Sequence, residues 1–160
     1  MHRHTLNPDS VFDTLQYGFS QAVISQGGRR IHLSGQIGVD EQERLAGTDL
    51  ASQTHAALRN VRRILEAAGG SLQHVLMLRI YIAAQARDEQ AHIVDALRSF
   101  FPEQPPATSW VVASGLSEPE WLIEVEAEAL LPDARQQSPA ACKTLYNLRP
   151  FSPRSQKDSP

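Results

Sequence analysis

Apolar residues change their spacing several times along this 160-residue chain, and each change marks an element. Residues 21–25 and 30–39 read as two strands turned at Gly27-Gly28, a dipeptide that supplies the positive φ of a tight hairpin. From about Asp49 to Ala68 the positions Leu50, Ala57, Leu58, Val61, Leu65 and Ala68 follow three-and-four spacing, while Arg59, Arg62, Arg63 and Glu66 face out. That is a helix, and Gly69-Gly70 stops it as left-handed caps do. Val75 to Ala83 reads as a third strand, and Asp88 to Phe101 as a second helix on Ile93, Val94, Leu97, Phe100 and Phe101, closed by Pro102. The last two strands fall at about 107–113 and 121–130. Two helices that each need a sheet to cover an apolar stripe, in the order β-β-α-β-α-β-β, imply a two-layer sandwich of the α+β kind.

One sheet face is left over in such a sandwich. Strands put alternate side chains on opposite faces, so period two sorts them. Ile31 and Leu33, then Leu76, Leu78, Ile80 and Ile82, then Ile123, Val125, Ala127 and Ala129, are the expected helix-facing core. Opposite them should lie His32, Ser34 and Gln36; Met77, Arg79 and Tyr81; Thr108, Trp110 and Val112; and Glu124, Glu126 and Glu128. This face is too apolar at Met77, Tyr81 and Trp110 for bare solvent, and too charged for a dry core. It implies a subunit interface containing a polar cleft.

A chain of this length closes one core, so the expected organisation is an N-terminal extension over 1–16, a single domain over 17–132 and a tail over 133–160. The tail holds five Lys/Arg against Asp133 and Asp158, a local +3 that leaves the preceding residues at −6. With four of the ten prolines and no amphipathic period, the tail is expected to be a flexible solvated extension. The acidic body should repel phosphate backbones, so no nucleic-acid partner is expected. No apolar run approaches the ~18 residues of a membrane span, and Met1-His-Arg-His lacks the apolar region of a signal peptide, which points to the cytoplasm and to no membrane partner. A single cysteine, Cys142, cannot form an internal disulfide.

Five segments in order carry a resemblance. Gly18-Phe-Ser-Gln-Ala-Val23, Leu33-Ser-Gly-Gln-Ile37, Asn60-Val-Arg-Arg-Ile-Leu-Glu-Ala-Ala-Gly69, Pro106-Ala-x-Ser109 and Ile123-Glu-Val-Glu-Ala127 together resemble the RidA/YjgF family of reactive-intermediate imine/enamine deaminases, over about residues 17–131. The resemblance implies a chorismate-mutase-like subunit with two helices on one face of a mixed sheet. It also implies a homotrimer, with a small-molecule substrate in each of three clefts between subunits. The implied reaction is hydrolysis of a 2-imino acid, the tautomer of an enamine, to a 2-keto acid and ammonia. An arginine in the family's Pro-Ala-Arg-Ser motif grips the substrate carboxylate, and a glutamate in the Ile-Glu-Val segment holds the attacking water.

Carried over by position, Glu124 matches that catalytic glutamate, Ser34 the serine of Ser-Gly-Gln, and Phe19 the place of a tyrosine. Thr108 replaces the arginine, offering one hydroxyl where a guanidinium offers a rigid charged fork. At about 1.5–3 kcal/mol per charged hydrogen bond, losing a two-pronged clamp weakens carboxylate binding by several powers of ten. Trp110 stands where a small residue is usual, and Val94, or His92 by another loop alignment, where an asparagine is often found. The cleft is therefore expected to be narrower and less fitted to anions.

Two substrate alternatives stay open. Either Arg79 supplies a cation from another strand, its plainer role being a salt bridge to Glu126 or Glu128, or the substrate lacks a carboxylate at that end, as suits a cyclic or aromatic enamine stacked on Trp110 or Phe19. Ser34 reads as a hydrogen-bonding wall, since no histidine and acid adjoin it in triad fashion. The six histidines show no ligand spacing beyond His2-x-His4, and there is no phosphate loop or dinucleotide fingerprint, so no metal and no cofactor are expected. The expected activity is a deaminase-type hydrolase of imine or enamine intermediates with non-standard specificity, in which Glu124 positions a water. The alternative is a non-catalytic trimer that binds a small metabolite or a partner protein in the same clefts.

Overall fold

A computed structural model describes residues 1–133 of the chain. The expectation of a flexible tail, and Cys142 with it, therefore falls almost wholly outside the described residues. Among the described residues six strands and two α-helices run in the order β1 (His2–Leu6), β2 (Ala22–Gln26), β3 (Arg29–Ile37), α1 (Leu50–Ala67), β4 (Val75–Ala83), α2 (Ala91–Phe100), β5 (Ala107–Ala113) and β6 (Ile123–Leu131). The main sheet has four strands in the order β3-β6-β4-β5, with β4 and β5 parallel and the other neighbours antiparallel. Both helices pack on it, as the two-layer α+β expectation requires.

Each helix forms for the reasons legible in its residues. Asp49 caps α1 by accepting from the Ser52 amide at 2.8 Å, and Gly69 ends it at φ 81°. Leu50, Ala57, Leu58, Val61 and Leu65 face the sheet fully buried, meeting Ile93 and Leu97 of α2 and Leu78, Ile80, Ile82, Ile123 and Val125 beneath.

Three expectations of pairing and phase need correction. Gly27 and Gly28 do take positive φ, 71° and 84°, but β2 and β3 lie in different sheets: β2 pairs with β1 and β3 with β6. The strand β1 has no apolar period to announce it, and His2 and His4 of the N-terminal extension lie within it. Its Arg3 donates to the Val75 and Gln104 carbonyls, both at 2.9 Å, which ties it to the domain.

The second correction is a pair of bulges. One between Val75 and Met77 buries Val75 and leaves Leu76 only half-buried. The other, between Leu33 and Gln36, sets Gln36 opposite the core residue Val125 and Ile37 opposite Glu124, so Gln36 leaves the second face. The third concerns β5. Its parallel register pairs Thr108 with Leu78, Trp110 with Ile80 and Val112 with Ile82, which puts all three on the helix side of the sheet. Period two gives the alternation of a strand but not its phase, and Ala-Thr-Ser-Trp-Val-Val-Ala has no polar half to set it.

Candidate active site

On the second face, β6 presents Glu124, Glu126 and Glu128 beside Tyr81, Arg79 and Met77 of β4. Long side chains in antiparallel strands also reach their diagonal neighbours, and two of the three carboxylates are taken up that way. Arg79 donates to Glu128 at 2.8 Å and lies 3.9 Å from Glu126, while the Tyr81 hydroxyl donates to Glu126 at 3.3 Å. The Arg79 hydrogen bond holds the Glu128 carboxyl below its ordinary range, and the same bond raises the guanidinium above its own. Desolvation, followed by the Glu126 charge, raises the Tyr81 phenol. The plainer role of Arg79, a salt bridge to these glutamates, is the one present.

Glu124 differs from its neighbours. Among the described residues its carboxylate has no hydrogen-bond or ion-pair partner. It lies across the Cα of Gly35, where a Cβ would stand 2.5 Å from Glu124 Cδ and 2.6 Å from Cγ. Ser34, next along the same bulge, is exposed. A depression of about 470 Å³ opens beside Glu124, bounded by Tyr81, Glu126, Ala113 and Gly115 to Ser117.

Phe19, Thr108 and Trp110 gather elsewhere, at the β5 edge on the helix side. The Trp110 indole Nε1–H donates to Thr108 Oγ1 at 2.9 Å. The Phe19 ring lies 6.2 Å from that of Trp110, tilted by 44°, and Tyr17 stacks on Phe19 at 6.5 Å. Ser20 fixes this wall: its amide donates to Pro106 O at 2.9 Å and its buried hydroxyl to Pro105 O at 2.7 Å. Val94 is half-buried and His92 exposed on α2. The expected site residues thus form two groups on opposite sides of one chain's sheet: Glu124, Ser34 and Arg79 on one, Phe19, Thr108 and Trp110 on the other.

A family model described as "Endoribonuclease L-PSP" matches residues 14–131. The chain belongs to the RidA/YjgF family. Its relatives in this family include a RutC family protein of Pyrococcus horikoshii, 33% identical over 112 residues, which are 69% of this chain and 85% of that one. The 3-aminoacrylate deaminase RutC of Acinetobacter baylyi is 33% identical over 100 residues, 62% of this chain and 77% of its own length. A Rid-family protein of unknown function from Yersinia pestis superposes with a TM-score of 0.78 at 34% identity, covering 82% of this chain and 100% of that one. The RidA/YjgF fold therefore carries a family that includes deaminases.

Two side-chain amides that sequence reasoning passed over, Gln53 buried and Asn60 half-buried, tie down the strand ends near Glu124 in this Rid-family chain. Gln53 of α1, fully buried, donates to Gly47 O and Glu120 O at 3.0 and 2.9 Å and accepts from the Leu122 amide at 2.8 Å, two residues before Glu124. Asn60 donates to the Ile37 and Val39 carbonyls at 3.2 and 2.9 Å, fixing the end of β3 just past the bulge. Asn60 stands in the segment that carries the resemblance; Gln53 sits where the apolar pattern predicts only a helix side. Among the described residues no group of three His, Cys, Asp or Glu side chains is placed to hold a metal ion, and no helix is long and apolar enough to cross a membrane.

Proposed function

We propose that this protein hydrolyses an imine, the tautomer of an enamine, to a carbonyl compound and ammonia, with Glu124 positioning the water. The observation that carries the reading is the contrast along β6: Glu126 and Glu128 are engaged by Tyr81 and Arg79, while Glu124 keeps a free carboxylate at the edge of a depression. In the reaction Glu124 accepts a proton as water oxygen bonds to the imine carbon. The resulting carbinolamine then loses its nitrogen, which takes up protons and leaves as ammonia while the carbonyl forms. The Acinetobacter baylyi deaminase, at 33% identity, supports this chemistry.

The two separated groups of residues are reconciled by assembly. In our reading, copies of the chain form a homotrimer in which the Glu124 and Ser34 face of one copy meets the Phe19, Thr108 and Trp110 wall of the next. The uncovered second face, with its half-buried Met77, Tyr81 and Arg79, supports a contact there.

The test is ammonia release from freshly generated imines by wild type, Glu124→Gln and Glu124→Ala. Both variants should melt like wild type and lose about 10²-fold or more in rate. Unchanged rates in both would overturn the role of Glu124, whereas a wild type no faster than the uncatalysed reaction would favour a non-catalytic binding trimer. Light scattering that finds a monomer would remove the shared cleft.

A further inference from the structure

We propose that the end of the ligand held by the β5 edge is a flat, uncharged ring bearing one hydrogen-bond acceptor, lying against Phe19 and Trp110 with that acceptor on the Thr108 hydroxyl; this rests on the reading that Phe19, Thr108 and Trp110 form one wall of the site. Indole nitrogen can only donate, so in the 2.9 Å contact Thr108 Oγ1 must be the acceptor. The threonine keeps its own proton to give away. Among the described residues no protein acceptor takes it, although Thr108 is half-buried. The wall therefore presents one neutral donor, set by the indole and bordered by aromatic faces.

That chemistry discriminates by charge. A carboxylate placed there would give up hydration for a single neutral hydrogen bond beside rings whose faces carry partial negative charge. A planar ring with a carbonyl or imino acceptor loses little hydration and gains stacking area. Nearby cations are committed elsewhere. Arg98, whose stem lies beside Gly18, donates to the Gln16 carbonyl, and Arg79 on the other face is held by Glu128 and Glu126. A cyclic imine or enamine whose nitrogen lies outside the ring, conjugated to a ring carbonyl, meets every one of these conditions, and its hydrolysis would leave a second ring carbonyl and release ammonia.

Calorimetric titration of the full chain with two probes of one ring size, 2-pyridone and pyridine-2-carboxylate, separates ring from charge. The neutral probe should bind about ten-fold tighter, Thr108→Val should weaken it by about ten-fold, and Thr108→Ser, which keeps both hydrogen bonds, should hold within about two-fold. Thr108→Arg should reverse the order of the probes. The proposal is overturned if the carboxylate binds as tightly as the pyridone, if Thr108→Val leaves pyridone binding unchanged, or if neither probe binds. Binding needs no turnover, so a Glu124→Ala variant that still orders the probes this way would retain the ring site even where the deaminase reading fails.

Discussion

Gly35 lies beneath the side chain of Glu124, so close that the first carbon of any side chain at 35 would collide with the carboxylate stem at 2.5–2.6 Å. The bulge that places it there adds one residue to β3 between Leu33 and Gln36, so two residues on β3 face Glu126 alone. The glycine is required by close approach and not by backbone strain, since its φ is not among the positive values of the chain.

Gly35→Ala should therefore leave the fold nearly intact while swinging the Glu124 carboxylate away. Misplacing a water-positioning group by about 1 Å costs on the order of 10²-fold in rate. The expected outcome is a melting temperature within a few degrees of wild type and imine hydrolysis reduced by that factor. A fully active Gly35→Ala would mean that the observed Glu124 position is not the working one.

The two helices, the strands β2 to β6 and most of the core were legible because they depend on local period: Leu58, Val61, Leu78 and Ile80 are buried as their spacing predicts. Phase and pairing were not. Nothing in Thr108-Ser-Trp-Val says which side of the sheet the threonine takes, and only the register against Leu78 decides it. Likewise Gly27-Gly28 specifies a turn but cannot specify that β2 pairs backwards with a strand as polar as His2-Arg-His-Thr-Leu. The glutamate was found by motif, and its freedom from partners only by geometry.

Gln53→Leu tests the anchoring of β6. The substitution keeps much of the volume but strands the Gly47 and Glu120 carbonyls and the Leu122 amide away from their partner. A loss of about 2–4 kcal/mol in urea unfolding is expected, on the scale of buried groups left unsatisfied. A loss below half a kcal/mol would show that water replaces the amide there.

Arg79→Met should destabilise the protein in a pH-dependent way. The guanidinium holds the Glu128 carboxyl below its ordinary value, so the contribution is complete above that value, near 4.5, and disappears as pH falls through the lowered one. The gap in melting temperature between wild type and Arg79→Met should thus be widest at neutral pH and close toward strong acid. A gap independent of pH would assign the loss to packing of the arginine stem instead.

His74 adds a second acid-sensitive contribution, whose loss begins at higher pH, below about 6.5. Its Nδ1 accepts from the Ser71 amide at 2.8 Å, closing a capping turn before β4, and burial lowers its pKa from the ordinary value near 6.5. The unfolded chain then binds the proton more readily than the folded one, so stability is complete above about 6.5 and falls as pH drops through the lowered folded value. Protonation also removes the acceptor that the Ser71 amide needs. Glutamine at this position can still reach back to the cap amide but does not titrate. His74→Gln should therefore match wild type near pH 7.5 and surpass it progressively below pH 6 in thermal melts. Parallel melting curves for the two proteins across that range would show that the imidazole stays neutral or finds water when it charges, and that the capping turn plays no part in acid sensitivity.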